Sequence, residues 1–166
     1  MKALTLADIS IRTDLHPGDI GMITYLHGSL YHAEFGFGIS FESYVAGAFA
    51  EFYSQYDPDR DRVWICEHEG KIIGSLLLMR RESGLSQLRF FIIRPEYRKI
   101  GLGRHLISCC IAFAKEKSYE KIYLWTTNNL PASQYLYNSF GFDLIEEKYS
   151  EGFGVPLMEQ YYELKL

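Results

Sequence analysis

Twelve residues constrain this chain more than any others: Ile93-Arg94-Pro95-Glu96-Tyr97-Arg98-Lys99-Ile100-Gly101-Leu102-Gly103-Arg104. They continue the apolar run Phe90-Phe91-Ile92 and open a stretch in which Leu106, Ile107, Cys110, Ile111 and Ala114 share one helical face. The strand is apolar enough for a sheet centre, and a proline turn and a glycine-spaced loop lead from it into a helix over residues 103–117. Such a unit belongs to a sheet with helices packed on it, not to a bundle or an all-β barrel. Backbone N–H groups at a helix start lack intrahelical partners and lie at the positive end of its dipole, so they can cradle an anion. Gly101 and Gly103 leave those amides uncovered, and Arg98 and Arg104 bring guanidinium groups suited to phosphate. A plain tight turn needs the same glycines, and Gly-x-Gly alone does not decide between the two.

Two common nucleotide folds fail on this sequence. Leu106 stands where a dinucleotide loop has its third glycine, and the next strand ends Thr126-Thr127-Asn128 without a carboxylate for a ribose. No Gly-Lys-Ser/Thr completes a P-loop.

Around this unit, alternation predicts a strand through Ile9, Ile11 and Thr13, ended at Pro17-Gly18. Helical spacing covers Ile20 to Phe35, breaks at Gly36-Phe37-Gly38, and resumes behind Ser40 as a cap, with Phe41, Tyr44, Val45, Ala48, Phe49 and Phe52 on the apolar face. Asp57 to Asp61 is a loop by composition. Val63–Glu67 and Lys71–Arg80 form a hairpin about Glu69-Gly70, and Leu88–Ile93 is a further strand. Strands follow at 121–127, 142–148 and 160–164, with a helix begun by Pro131 running to Phe140. The order β-α-α-β-β-β-α-β-α-β-β signals an α+β (α/β-like) sheet with helices over it.

The length of 166 residues suits one domain, here residues 1–166, with no linker or repeat to divide it. A net charge of −4 argues against a nucleic-acid binder and mildly favours a cationic acceptor. Cys66, Cys109 and Cys110 lie in apolar stretches without metal-ligand spacing, as buried thiols in a reducing compartment do. No apolar run reaches the roughly 20 residues of a membrane span, and Asp8 interrupts the place of a signal peptide's apolar segment. A cytoplasmic protein without metal, nucleic acid or membrane among its partners is expected. A homodimer through the late strands, for instance at Tyr161-Tyr162, is left open.

Arg98-Lys99-Ile100-Gly101-Leu102-Gly103 resembles the Arg/Gln-x-x-Gly-x-Gly/Ala motif of the GNAT superfamily of N-acetyltransferases. Leu136-Tyr137-Asn138-Ser139-Phe140-Gly141-Phe142 is similar to that family's Leu-Tyr-x-x-x-Gly-Phe signature, with a strand between the two as the family has. Gly18-Asp19-Ile20-Gly21, Leu26 to Tyr31, Glu34-Phe35-Gly36, Leu124-Trp125-Thr126 and Phe153-Gly154 resemble the acetyltransferase modules often fused behind MarR-type regulators. The sequence starts directly in such a module, so no DNA-binding domain is expected in it. The resemblance implies a mixed, mostly antiparallel central sheet of about seven strands, and acetyl transfer from acetyl-CoA to a primary amine of a small molecule or peptide. It also allows a non-catalytic acyl-CoA sensor of the same fold, or use of a longer acyl chain.

Carried onto this sequence, the resemblance gives Arg98, Lys99, Ile100, Gly101, Leu102 and Gly103 to the CoA pyrophosphate, with Arg104 added on charge. It gives the backbone of Phe91, Ile92 and Ile93 to the pantetheine arm, near a bulge, with an N–H such as that of Ile92 holding the thioester oxygen. Tyr137 takes the position whose hydroxyl protonates the departing thiolate. The family often has Asn three residues before an Ala; here Leu130 and Ser133 occupy those positions, leaving Asn128 or Asn129 to reach the cofactor. A protonated amine must lose a proton before attack, and Glu67, His27 and Glu34 are the candidate acceptors. The aromatic region from Tyr25 to Tyr56, with His27, Tyr31 and Glu34, is the expected acceptor wall.

Overall fold

Along the chain run β1 (Ser10–Arg12), α1 (Asp19–Phe35), α2 (Ile39–Ser54), β2 (Arg62–His68), β3 (Lys71–Arg80), β4 (Leu85–Ile93), α3 (Leu102–Glu116), β5 (Lys121–Thr127), α4 (Pro131–Ser139), β6 (Asp143–Ser150) and β7 (Leu157–Lys165). This computed structural model describes residues 4–166; the first three residues, part of the stretch read for a signal peptide, lie outside the described residues. The strands form one sheet in the order β1-β2-β3-β4-β5-β7-β6. All neighbours are antiparallel except β4 and β5. This is the mixed, mostly antiparallel seven-stranded α+β fold that the sequence implied.

The central strands are buried on both faces. Val63 and Ile65 of β2 face the aromatic layer of α1 and α2, built on Ile23, Phe41, Val45, Phe49 and Phe52. Trp64 and Cys66 of the same strand face α3 through Leu102, Leu106, Cys110 and Phe113. Strands covered on both sides read as continuous apolar runs, which is why β2 and β3 were legible without alternation.

Several element ends shift by one or two residues from the sequence reading, and three differences have a non-local cause. The α2 cap is Gly38, not Ser40, because Gly38 is tied to the β6–β7 turn by its N–H donating to the Phe153 carbonyl at 2.8 Å. β4 starts at Leu85, three residues early, since Leu85 to Gln87 pair with Lys121 to Tyr123 of β5. β7 starts at Leu157 by pairing with Ser150.

The pairing of β4 with β5 ends at Gln87, and beyond it the two strands part. On its other edge β4 carries a bulge: Ser75 faces Ile92, yet Leu77 faces Arg89, so β4 has one extra residue there. Phe90 sits in the left-handed region at φ 51°, and Ser75 Oγ donates to its carbonyl at 2.7 Å. That backbone conformation costs about 1–2 kcal/mol. Burying the Phe90 ring, stacked on Phe49 with centroids 3.7 Å apart, returns about as much or more. The bulge is therefore held by the aromatic layer beneath it.

Candidate active site

The parting of β4 and β5 opens a cavity of about 340 Å³. His27 and Tyr31 of α1, Phe41 and Tyr44 of α2, Gln87 to Phe91 of β4 and Trp125 to Thr127 of β5 line it. Leu130, Ser133 and Tyr137 close it on the α4 side, and Lys148, Phe153 and Glu159 come from the β6–β7 hairpin.

Peptide direction along β4 follows from two bonds. Arg94 N–H donates to the Ile73 carbonyl at 2.8 Å, so the alternating antiparallel ladder also turns Ile92 toward β3, opposite Ser75. A β-carbon on Gly74 would lie 2.7 Å from the Ile92 carbonyl oxygen, which places that oxygen on the β3 side. Ile93 faces the other way, its carbonyl accepting from Arg98 Nε at 2.9 Å. Phe91 and Ile93, not Ile92, thus present their peptide groups to the gap. The Ile92 amide, offered from the resemblance as a donor for the thioester oxygen, is turned into the ladder with β3 and away from the gap.

The loop after β4 is shaped for an anion. Lys99 at φ 66° and Gly101 at φ 88° turn the chain in the left-handed region, and Gly101 caps α3 without any side-chain hydrogen bond. Among the described residues, none of the six amides from Lys99 to Arg104 donates to a backbone carbonyl or side chain; the first helical bond is His105 N–H to Gly101 at 3.0 Å. The two glycines do different work. A β-carbon on Gly101 would meet nothing, so Gly101 serves the turn and leaves open space. One on Gly103 would lie 3.3 Å from Leu136 Cδ2, 3.5 Å from Phe91 Cζ and 3.6 Å from Ile93 Cδ1. Gly103 therefore lets the amide-bearing loop, the open edge of β4 and α4 pack against one another.

The charged flanks behave otherwise than expected. Arg98 does not face those amides: its two terminal nitrogens grip Glu34 at 2.7 and 2.8 Å, and its Nε holds Ile93. Each partner occupies the other, so neither is free for phosphate or for an amine proton. Arg104 lies over the Phe140 ring and donates to Ser139 Oγ at 3.2 Å. Glu67 is not brought to the cavity; on β2 it accepts from Arg12 Nε at 3.0 Å, beside the Arg12–Asp19 pair that ties α1 to the sheet edge. Asn129 stands next to the cavity rather than on its lining, its Oδ1 accepting from the Thr127 hydroxyl at 2.5 Å. Asn128 is spent on β7, exchanging two 3.0 Å bonds with Met158.

Three polar side chains named from sequence meet at the cavity, beside Phe91. Tyr137 is buried against Phe91, Phe142 and Tyr162, and burial pushes its pKa well above the ordinary tyrosine value. Tyr31 stacks on Phe41 at 4.7 Å and is pushed up to about 12 by burial, its hydroxyl within electrostatic reach of Arg98, Glu34 and Tyr137. His27, 4% exposed, is depressed to about 4 by burial. The neutral ring donates from Nδ1 to the Ile23 carbonyl at 2.8 Å, leaving Nε2 as an acceptor. Among the described residues the Tyr31 and Tyr137 hydroxyls and His27 Nε2 have no hydrogen-bond partner. Three unpartnered polar atoms in one aromatic cavity mark a place for a ligand.

Sequence reasoning missed Gln87, Arg89, Lys148 and Glu159. The signal for the first two was Gln87 and Arg89 at alternate positions of an otherwise apolar strand. The hairpin pair carried none, because only the β7 register brings Glu159 opposite Thr127, with Lys148 at 3.4 Å from it.

Known proteins are similar to this chain in sequence or in fold. The Escherichia coli K12 protein named "Uncharacterized N-acetyltransferase YjgM" is 29% identical over 99 residues, 58% of this chain and 59% of that protein. "N-acetyltransferase family 8 member 3" of Rattus norvegicus is 27% identical over 84 residues, 48% of this chain and 37% of that protein, so the chain spans less than two thirds of either. A Staphylococcus aureus Mu50 acetyltransferase of the GNAT family superposes with a TM-score of 0.78 at 21% identity, over 95% of this chain and 99% of that one. A GNAT family acetyltransferase from Elizabethkingia anophelis with acetyl-CoA bound has a TM-score of 0.65 at 16% identity, over 96% and 99% of the two chains. The profile of the acetyltransferase (GNAT) family matches residues 29–142, from the middle of α1 to the start of β6. With more than half of the sequence matched in this way, the chain belongs to the acetyltransferase (GNAT) family.

Proposed function

We propose that this protein transfers an acetyl group from acetyl-CoA to a primary amine, with residues 1–166 as one catalytic domain. The observation that carries the reading is the continuity of the site: six unpartnered loop amides and the open β4 edge meet around Gly103, and Phe91 of that edge also lines the cavity with Tyr137, their rings 6.4 Å apart. A pyrophosphate suits the amides of Lys99 to Arg104, and a pantetheine arm suits the peptide groups of Phe91 and Ile93. Acetyl-CoA supplies the acetyl group as a thioester, whose carbonyl carbon takes the amine lone pair while its carbon–sulfur bond breaks.

The chain's own groups divide the rest. The Phe91 N–H is the donor suited to the carbonyl oxygen as negative charge gathers there. Burial keeps Tyr137 protonated through the neutral range, so it meets the leaving sulfur as a donor; it gives that proton to sulfur and recovers one from the nitrogen. A pKa of about 4 makes His27 a hydrogen-bond acceptor that orients the amine N–H, not a store for its proton, so the ammonium proton is left to solvent and the amine attacks from its neutral fraction. Glu34 and Glu67, each held by an arginine, have no part in this reading.

The segments resembling modules fused to MarR-type regulators form the α1 start, the Glu34 clamp and the Phe153-Gly154 turn under Gly38, and we place the protein nearest that group. No helix among the described residues is long and apolar enough to cross a membrane, and the cysteines are free thiols, consistent with a cytoplasmic setting. The test is release of free CoA thiol from acetyl-CoA across a panel of amino acids, polyamines, aminoglycosides and lysine peptides. Amine-dependent release that is lost in Tyr137→Phe is expected. Thermal stabilisation by acetyl-CoA without release on any amine would leave a sensor of the same fold, and neither effect would overturn both.

A further inference from the structure

The acceptor side of the cavity holds a group of donors that the transfer reaction does not use. Gln87 and Arg89 lie two residues apart on β4 and so project from the same face of the strand, toward α2. Gln87 is 7% exposed and lines the cavity. Its side-chain oxygen is taken by Arg81 at 2.6 and 2.9 Å and by the Tyr123 hydroxyl at 3.3 Å. What it has left to offer is its amide nitrogen, which has no acceptor among the described residues.

Arg89 lies close to the Phe90 and Tyr44 rings, with one terminal nitrogen donating to Tyr44 Oη at 3.1 Å. The nearest carboxylate, Glu51, is 4.0 Å away and is already bonded to Arg81 at 3.0 Å. Two guanidinium groups thus share one carboxylate, and this corner carries a net positive charge. The other charges on the lining, Lys148 and Glu159, pair with each other at 3.4 Å and cancel. A side chain with donors to spare, an amide nitrogen beside it and an uncompensated charge is complementary to a carboxylate. The remaining wall, Phe37, Phe41, Trp125 and Phe153, is aromatic, and 340 Å³ is small for a binding pocket.

We propose that Arg89 and Gln87 hold the carboxylate of the acceptor, which makes the favoured acceptor a small amine that also bears a carboxylate and an aromatic or apolar body, as a bulky apolar amino acid does. This rests on the acetyltransferase reading and names the acceptor for it. It runs against the −4 overall charge, because the local field at the cavity outweighs a net charge spread over the whole surface.

The test separates the subsite from the chemistry by measuring binding of products, which needs no turnover. N-acetylphenylalanine, N-acetyltryptophan and N-acetylleucine are titrated by calorimetry in the presence of CoA, each beside its carboxamide. The carboxylates should bind the wild-type protein at least tenfold more tightly than the carboxamides. Arg89→Gln should bring each pair within about threefold, and Arg89→Lys should restore part of the preference. Equal affinities within the pairs, including none detectable, or a preference that survives in Arg89→Gln, would overturn the subsite. Acetyl-CoA titrations of the same three proteins serve as the control. Unchanged acetyl-CoA affinity with lost discrimination is the expected pattern, whereas failure of the wild type to bind acetyl-CoA sinks the acetyltransferase reading and leaves the pairwise comparison to judge the carboxylate site.

Discussion

His27 makes stability depend on pH in a way that can be worked from its surroundings. The ring is buried in α1, stacks on Tyr31 at 5.9 Å and meets Phe90 edge-on at 6.1 Å, and its pKa of about 4 lies below the 6.5 of an ordinary histidine. A depressed histidine binds fewer protons folded than unfolded between those two values, so folding stability must fall as pH drops from 6.5 toward 4. At pH 5 nearly every unfolded molecule carries the proton but only about one folded molecule in ten, which amounts to about 2 kcal/mol lost relative to pH 7. For a chain of this size that is a fall in Tm of about 4–8 °C. The perturbation is His27→Gln, which keeps a side-chain donor for the Ile23 carbonyl and does not titrate. Urea unfolding of both proteins at pH 7, 6 and 5 gives the comparison. Depressed carboxylates such as Asp19 and Glu163 lose stability in both proteins alike and drop out of the difference. Wild type should lose about 2 kcal/mol more than the variant between pH 7 and 5. Parallel pH dependences would show that His27 is not held neutral, and its role as an acceptor on the cavity wall would go with it.

Tyr137→Phe should lower kcat by about 100-fold or more, with acetyl-CoA affinity within twofold. Its stability should not fall, since the buried hydroxyl it removes has no partner among the described residues. Gly101→Ala forces an L-residue to φ 88° at a cost of about 1–2 kcal/mol and should weaken acetyl-CoA binding by distorting the amide loop; undiminished stability in chemical unfolding would contradict the turn assignment. Arg98→Gln should leave acetyl-CoA affinity within about threefold, because Glu34 and Ile93 occupy that guanidinium; a loss beyond tenfold by calorimetry would mean that Arg98 leaves Glu34 for phosphate.

Much of the fold was legible because its signals are local. β3 and β5 run over the residues that the pattern gave them, since apolar runs bounded by turn residues define strands buried on both faces. The missed start of β4 was non-local: Leu85 to Gln87 become strand only by pairing with residues 121–123. The site divided along the same line. Tyr137 and the glycine loop could be read from motifs; the structure sets the first on the cavity wall and the second at the start of α3. Partner choice could not be read, because Glu34 meets Arg98 and Glu67 meets Arg12 across 64 and 55 residues of sequence. Nor could the direction of a peptide group, since the bulge at Phe90 decides which of three consecutive apolar residues faces the gap.

The central claim is that the open edge of β4 and the loop amides form one acetyl-CoA site. Amide chemical shifts of the isotope-labelled protein, followed through an acetyl-CoA titration, test it residue by residue. The largest changes are expected at Lys99 to Arg104 and at Phe91 and Ile93, with Ile92 little moved because its amide is turned to β3. Saturable binding that shifts Ile92 and leaves residues 99–104 unmoved, or no saturable shift at all, would contradict it.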